Sequence, residues 1–356
     1  MNGLQIKRKS YRWKNLSKKE INNIKNKFGI FPSEIKEYFA IDPFLSIVLT
    51  KQCTLKCAYC CEGGEGTHSS IIFHDIDILK KRIGEALELG VKKLRLTGGE
   101  PFLYPKFKDL LKALLELKKR YNFFLLINTN ATVLITKDFI PLLKNLNAKL
   151  AVHLDAINED TYIKINKTNK KIFSTLIKNI KLLSKNRLLH RFNVVISKYN
   201  IDEFDNLIAF ANKMEINIKA FDVTEVPKQF VDKNKIYIPL DKFIKNLEKR
   251  ASKKFFHPYA LAFGTPVMFY DIDSILISVK YTKYGSRYSQ DYCKTCPFFP
   301  CDEGLYDILY YPDDTIWACR WYRNKKILKK DFKQSLSTLF KTYKKSKWFI
   351  GNSFVE

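Results

Sequence analysis

The 356-residue chain contains no run of 18 or more apolar residues, which removes a membrane-spanning helix from the expectations. Its start, Met1 to Ser17, is basic but lacks the apolar core and small-residue cleavage site of a secretory signal. A cytoplasmic protein with no membrane partner is expected. Acidic residues are scarce: 36 Asp and Glu face 63 Lys and Arg, for a net charge of +27. Such a field attracts phosphates, acidic peptides or nucleic acid. Lys, Asn and Ile are nevertheless abundant along the whole chain, and no compact basic-aromatic motif gathers the charge. The excess reads as compositional drift, and nucleic acid is not expected as a partner. No short-period repeat or low-complexity tract occurs. With 46% hydrophobic residues, the length suits two domains or one barrel with an appendage.

Cysteine is sparse and concentrated. The eight residues fall at two loci: Cys53, Cys57, Cys60 and Cys61, then Cys293, Cys296, Cys301 and Cys319. Close clustering favours metal ligation over a disulfide framework and implies a reducing or anaerobic setting. The first locus has C-x3-C-x2-C spacing, and the apolar segment Phe44 to Leu49 leads straight into it. Iron–sulfur clusters are normally held by four thiolates. Three thiolates on one loop would leave one iron of a cubane open to a ligand. Cys61 directly follows the triad and is read as non-ligating. The second locus, Cys293-x2-Cys296-x4-Cys301-x17-Cys319, suits a fully ligated [4Fe-4S] cluster or a structural zinc, and spacing alone leaves both open.

Between residue 45 and about 250, short apolar runs alternate with amphipathic stretches. The runs are Leu45–Leu49, Leu94–Thr97, Phe123–Ile127, Leu150–Leu154, Phe192–Ile196 and Ile218–Val223. The stretches include Asp75–Leu89, Phe107–Arg120, Thr161–Lys185, Ile201–Lys213 and Leu240–Arg250. This order predicts an α/β fold: a parallel sheet with crossover helices and chemistry at the C-terminal strand ends. Three regions are expected: a basic helical lead-in at 1–43, the α/β unit at 44–255 and a cysteine-bearing extension at 256–356. In the extension, Tyr306–Tyr311 and Thr315–Ala318 read as a β-hairpin turning at Pro312-Asp313-Asp314, and Ser335 to Phe349 as a helix.

The strand ends carry the polar candidates. After the second strand stands Gly98-Gly99-Glu100-Pro101, where the glycines permit close backbone approach and Glu100 offers a carboxylate to an ammonium group. Thr129 and Asn130 follow the third strand, His153 ends the fourth, and Arg191 opens the fifth. His153 is read as a ligand contact or a structural histidine, and Arg191 as a carboxylate partner or a surface charge.

The triad, with the aromatic Tyr59 just before its last cysteine, and Gly98-Gly99-Glu100-Pro101 about 40 residues later resemble the radical S-adenosylmethionine (radical SAM) superfamily. That resemblance implies a partial (β/α)6 TIM barrel and a [4Fe-4S] cluster on Cys53, Cys57 and Cys60. It further implies S-adenosylmethionine bound near Tyr59, Gly98, Gly99, Glu100, Thr129, Asn130, His153 and Arg191. Asn128-Thr129-Asn130-Ala131 has Ala131 where the family usually has Gly, and His153 stands where relatives carry Ser. The implied chemistry is reductive cleavage to a 5′-deoxyadenosyl radical, which takes a hydrogen atom from a peptide or small-molecule substrate. An electron donor such as flavodoxin or ferredoxin would supply the cluster. No catalytic residue is assigned. The second cysteine set resembles the auxiliary-cluster hairpin of the GTP 3′,8-cyclase family and related twitch or SPASM enzymes, which favours a second [4Fe-4S] cluster on Cys293, Cys296, Cys301 and Cys319. Residues 45–225 and 290–322 carry the cyclase likeness, including Cys60 to Gly66. The hairpin strand Leu305–Tyr310, however, lacks the Arg residues with which those enzymes hold GTP, and the chain ends Gly351 to Glu356 rather than Gly-Gly. A cyclase-like radical SAM enzyme with a different substrate is therefore expected, with Arg320, Trp321 and Arg323 near its pocket. A divergent cyclase of molybdenum-cofactor synthesis is the alternative. A zinc- or cluster-binding nucleic-acid module is the reading from another class.

Overall fold

The six apolar runs become six strands, most of them buried on both faces, the environment that parallel strands under crossover helices require. The computed structural model describes residues 43–60, 73–223, 233–257, 267–282, 286–293, 295–298, 301, 303–305, 307–320, 322 and 331–349. The lead-in at 1–42, Cys61 to Gly66, Trp321, Arg323 and Gly351 to Glu356 lie outside the described residues. The strands are β1 Phe44–Val48, β2 Lys93–Thr97, β3 Phe124–Thr129, β4 Lys149–His153, β5 Leu189–Val195 and β6 Asn217–Phe221. Each pairs in parallel with the next. The helices covering them are α1 Ile76–Glu88, α2 Phe107–Lys118, α3 Phe139–Asn145, α4 Glu159–Asn166, α5 Lys170–Lys185, α6 Phe204–Lys213 and α7 Asp241–Arg250. Their buried rows repeat at helical spacing, as with Leu79, Ile83, Ala86 and Leu87 of α1 and Phe173, Leu176, Ile180 and Leu183 of α5. The result is the parallel α/β sheet that the alternation predicts, consistent with the partial barrel that the resemblance implies.

Two differences from expectation bear on the site. The single helix expected over Thr161–Lys185 is two. Lys167 takes a left-handed conformation (φ 47°) that closes α4, and the Asn169 side chain accepts from Ile172 N–H to cap α5. An Asn cap of this kind contributes about 1 kcal/mol, and the break leaves the C-terminal end of α4 facing the first cysteine loop. The second difference lies in the sheet. It runs on past both flanks of β1–β6, in the order β12-β11-β1-β2-β3-β4-β5-β6-β9-β8-β7. The added strands are β7 Lys253–His257, β8 Val267–Ile272, β9 Ile275–Lys280, β11 Asp307–Tyr310 and β12 Ile316–Trp317. β9 is parallel to β6, and β11 is parallel to β1. The β8–β9 turn places Asp273 and Ser274 at positive φ (50° and 72°). That is the type I′ hairpin geometry, here without the glycine that usually announces it. The boundary expected at 255/256 falls within β7.

The hairpin β11–β12 turns at Asp314 as expected. Its turn is tied back to α1: Arg82 donates to both Asp314 carboxylate oxygens (3.0 and 2.6 Å), and Tyr310 donates to one of them (2.8 Å). The last helix, α8 Phe332–Lys344, stops before the end of the expected helical span. Lys347–Phe349 is instead β13, antiparallel to β10 Ser286–Tyr288. Among the described residues, no helix is long and apolar enough to cross a membrane.

Burial pushes His74 down to about 4 and His190 to about 3, away from the usual 6.5. Unfolded imidazoles take up protons below about 6.5 while these folded ones do not, so their contribution is complete above that pH and is lost as pH falls toward 4. Urea melts between about pH 7 and about pH 5 should show wild type losing stability more steeply than His190→Gln. Equal slopes would reject the buried neutral imidazole.

Candidate active site

The first cysteine loop leaves β1 and is gripped by three neighbours. The end of β2 holds its start: Gly99 N–H donates to Thr50 O (2.8 Å) and Glu100 N–H to Gln52 O (2.7 Å). A β-carbon on Gly98, which has φ 145°, would lie 2.3 Å from Thr50 O, and one on Gly99 would lie 1.9 Å from Gln52 O. The sequence suggests that this pair makes room for a ligand. The structure gives the room first to the loop's own backbone, although both glycines also line the cavity described below. The end of α4 holds the middle of the loop. Lys56 N–H donates to Asn166 O (3.1 Å), Ala58 N–H to Ile165 O (2.9 Å) and the Cys57 thiol to Asn166 Oδ1 (2.9 Å). From β3, Asn130 Nδ2 lies 3.0 Å from Thr54 Oγ1 and 3.4 Å from Cys53 Sγ.

Glu100 is fully buried. Its carboxylate accepts from Thr129 Oγ1 (2.7 Å), Asn130 N–H (2.7 Å) and Phe102 N–H (3.1 Å). Three residues expected to meet the cofactor therefore meet one another, and the carboxylate is not part of the cavity wall. Burial pushes Glu100 up to about 7, while its three donors pull the other way. Ala131 has φ 51°, so it occupies the left-handed region natural to glycine.

Tyr59, between Cys57 and Cys60, reaches the end of β4. Its hydroxyl donates to Asp155 Oδ2 (2.6 Å) and touches His153 Nε2, which itself lies 2.6 Å from the same Asp155 oxygen. Asp155 Oδ1 accepts from Val195 N–H (3.0 Å). Burial and the nearby Asp155 charge raise the Tyr59 hydroxyl well above its ordinary value, which keeps it protonated.

Cys53, Cys57 and Cys60 open into a cavity of about 380 Å³. The cavity is shared with Gly98, Gly99, Thr129, Asn130 and His153 on one side, and with Phe221, Asp222, Lys280, Glu303 and Arg320 on the other. Asn128 and Asn193 also line it, and Asn128 Oδ1 is buried with no hydrogen-bond partner among the described residues. Arg191 stands behind this wall and donates from Nε to Asn193 Oδ1 (3.0 Å). Of the three residues expected beyond Cys319, Arg320 lines the cavity, and the other two lie outside the described residues. Asn128, Asp155, Asn166, Asn193 and Lys280 were not singled out from sequence. Asp155 sits in the His153-Leu154-Asp155 motif, which could have flagged it. Asn166 contributes through the helix break alone.

The second set gathers as well. Cys293, Cys296, Cys301 and Cys319 line one small pocket with Tyr288, Tyr292, Gly304, Leu305 and Tyr322. Cys301 Sγ accepts from Gly304 N–H (3.4 Å), and Tyr292 donates to Tyr322 O (2.7 Å). Burial raises Cys301 to about 12 and lifts Cys293 and Cys57 above the ordinary thiol range. Among the described residues, none of these seven cysteines is joined in a disulfide. Nor, among the described residues, do three His, Cys, Asp or Glu side chains draw together around one point as for a single metal ion. Each set instead surrounds a space. Thiols this buried are costly to ionise unless a cation shares the site, and a metal–sulfur cluster meets that condition. The orphaned Asn128 oxygen likewise leaves an acceptor for a bound molecule.

Residues 47–211 match the profile of the radical SAM superfamily. The GTP 3′,8-cyclase of Synechocystis sp. is 28% identical over 211 residues, covering 59% of this chain and 63% of that one. The GTP 3′,8-cyclase of Petrotoga mobilis is 28% identical over 215 residues, covering 59% and 64%. The chain thus spans under two thirds of the length of these relatives. In fold it is similar to Streptococcus suis SuiB bound to S-adenosylmethionine (TM-score 0.60, 17% identity, 86% of this chain and 68% of that one). It is also similar to native anSMEcpe with bound AdoMet (TM-score 0.57, 14% identity, 84% and 81%).

Gly99→Ala should be strongly destabilising, by about 2 kcal/mol or more, since backbone on both sides must move. Thermal melts and iron content after reconstitution check this. A variant that melts with wild type and holds full iron would contradict the close approach.

Proposed function

From the match of residues 47–211 to the radical SAM superfamily profile, we propose that this chain is a radical SAM enzyme that cleaves S-adenosylmethionine reductively and abstracts a hydrogen atom from a peptide or small-molecule substrate. One observation carries the reading: three thiols of a backbone-locked loop share a cavity with the Gly98–Gly99 edge and the polar ends of β3, β4 and β5. Cys53, Cys57 and Cys60 would hold a [4Fe-4S] cluster, which would supply the electron for reductive cleavage of S-adenosylmethionine. The chain's own residues bind, orient and exclude water. Gly98, Gly99, Asn128, His153 and Asn193 offer polar atoms to the cofactor. Leu55, Ala151, Val195 and Phe221 supply apolar wall that keeps water from a reactive intermediate. Lys280, Arg320, Asp222 and Glu303 form the charged side left for the substrate. Cys293, Cys296, Cys301 and Cys319 would hold a second [4Fe-4S] cluster within residues 256–356, and flavodoxin or ferredoxin would be the electron donor.

A second reading is a divergent GTP 3′,8-cyclase, favoured by the 28% identity to enzymes of that name. The β11 strand Asp307–Tyr310 carries no Arg, which weighs toward another substrate. Anaerobic incubation with GTP and S-adenosylmethionine decides between them: a GTP-derived product would select the cyclase.

Replacing Cys53, Cys57 and Cys60 together with Ala should abolish reductive cleavage of S-adenosylmethionine, read as 5′-deoxyadenosine formed. Cleavage surviving in that variant rejects the assignment. Reconstituted wild type should hold about eight irons, and the variant lacking Cys293, Cys296, Cys301 and Cys319 about four. Zinc in place of iron at the second set would overturn the auxiliary cluster.

A further inference from the structure

Asp155 stands behind the cavity wall, and one of its oxygens serves two residues that face the cavity. Oδ2 accepts from the Tyr59 hydroxyl and from His153 Nε2, each at 2.6 Å, while Oδ1 is fixed by Val195 N–H at 3.0 Å. The carboxylate side chain is fully buried, and the His153 side chain is 20% exposed. Asn200 Nδ2 donates to the Asp155 carbonyl (2.9 Å) and to the Val195 carbonyl (2.9 Å), so the backbone beneath the carboxylate is pinned as well. An ionised carboxylate only accepts. Both neighbours must therefore donate to it, which puts a proton of His153 on Nε2; in the neutral ring Nδ1 then keeps a lone pair. Among the described residues Nδ1 meets no hydrogen-bond donor, and it is not one of the buried unpartnered atoms, so it opens toward the cavity that His153 lines.

We propose that Asp155 is the positioning residue of this centre: through one oxygen it locks Tyr59 to His153, which fixes the span between Cys57 and Cys60 and presents His153 Nδ1 to the cavity as a hydrogen-bond acceptor. The proposal rests on the reading that the triad carries a cluster and the cavity takes S-adenosylmethionine. Tyr59 would tether the segment between two ligands, as an outer hydrogen bond orients a metal ligand. His153 would contribute to cofactor affinity only in the orientation and tautomer that Asp155 enforces. Neither residue then acts alone. Removing the carboxylate should cost what removing both partners costs.

The test uses the reconstituted holoenzyme with S-adenosylmethionine as probe. The readouts are its dissociation constant, taken from the shift it causes in the reduced cluster's electron paramagnetic resonance spectrum, and the rate of iron release to a chelator. Asp155→Asn should weaken binding about tenfold or more and speed iron release, the scale of losing charge-assisted hydrogen bonds. Tyr59→Phe should mainly speed iron release, and His153→Gln should mainly weaken binding. The Tyr59→Phe/His153→Gln double variant should match Asp155→Asn, and adding Asp155→Asn to it should change little further. Asp155→Glu keeps the carboxylate and should recover part of the affinity. If Asp155→Asn does not fold, the single and double variants of Tyr59 and His153 still test the partition. Unchanged affinity and iron release in a folded Asp155→Asn protein, or an Asp155→Asn effect that simply adds to the double variant's, would overturn the proposal. Wild type that shows no spectral shift with the probe would instead sink the radical SAM reading.

Discussion

The centre depends on two backbones touching where side chains usually stand. At the end of β2, Gly98 and Gly99 lie against residues 50–52 so closely that any β-carbon would collide with a carbonyl. That contact lets Gly99 and Glu100 donate to Thr50 and Gln52, in effect continuing the β1–β2 ladder into the cysteine loop. A loop bearing three thiols that would hold one cluster has little tolerance for drift. Backbone hydrogen bonds between main chains give it a fixed origin at no side-chain entropy cost. The α4 carbonyls and Asn130, which act further along the loop, adjust a segment whose start is already set.

The ends of β2, β3 and β4 support that contact with buried carboxylates that look inward. Glu100 gathers Thr129, Asn130 and Phe102, and Asp155 gathers Tyr59, His153 and Val195. Each collects donors from two or more elements. A buried charge satisfied in this way is expensive to disturb, because losing one partner strands the others in a low-dielectric site. The cavity wall is therefore rigid where the cofactor would lie. The charged side formed by Lys280, Glu303 and Arg320 comes from β9 and from the second cysteine segment, and both lie beyond the superfamily match at 47–211. The cysteine loop and this charged side of the cavity thus come from different parts of the chain.

This division explains what was legible in the sequence. The six strands, most helices and both cysteine sets could be read from periodicity and spacing, because burial of alternating runs and local ligand spacing are properties of short segments. The Gly98–Gly99 motif was visible, but its first partner was not, since the Cβ exclusion arises from residues 50–52. The helix break at Lys167 left only a weak local mark, the Asn169 cap, and with it the role of Asn166 was hidden. β7–β9 escaped because the β8–β9 turn runs through Asp273 and Ser274 rather than through glycine, and because the parallel docking of β9 on β6 is a long-range event. Glu100 and Arg191 were named as cofactor contacts by motif. In the structure Glu100 accepts from Thr129 and Asn130, and Arg191 donates to Asn193.

The two cysteine sets are joined by sheet rather than by linker. Cys301 and Cys319 flank the β11–β12 hairpin, and β11 is annealed in parallel to β1, the strand that feeds the first loop. Inside the barrel, Asp307 of β11 accepts from Ser46 of β1 (2.7 Å) and pairs with Arg95 of β2. Asp307 and Arg95 are both nearly fully buried. A buried ion pair adds little net stability against an apolar alternative, but it penalises any register in which its partners part. A shift of β11 by one residue would turn Asp307 away from Arg95 and move its side chain to the opposite face of the sheet. The pair therefore acts as a register lock, and the register of β11 on β1 sets where the hairpin carrying Cys319 and Arg320 stands relative to Cys53, Cys57 and Cys60. The spacing between the two thiol sets is in this way a property of strand pairing.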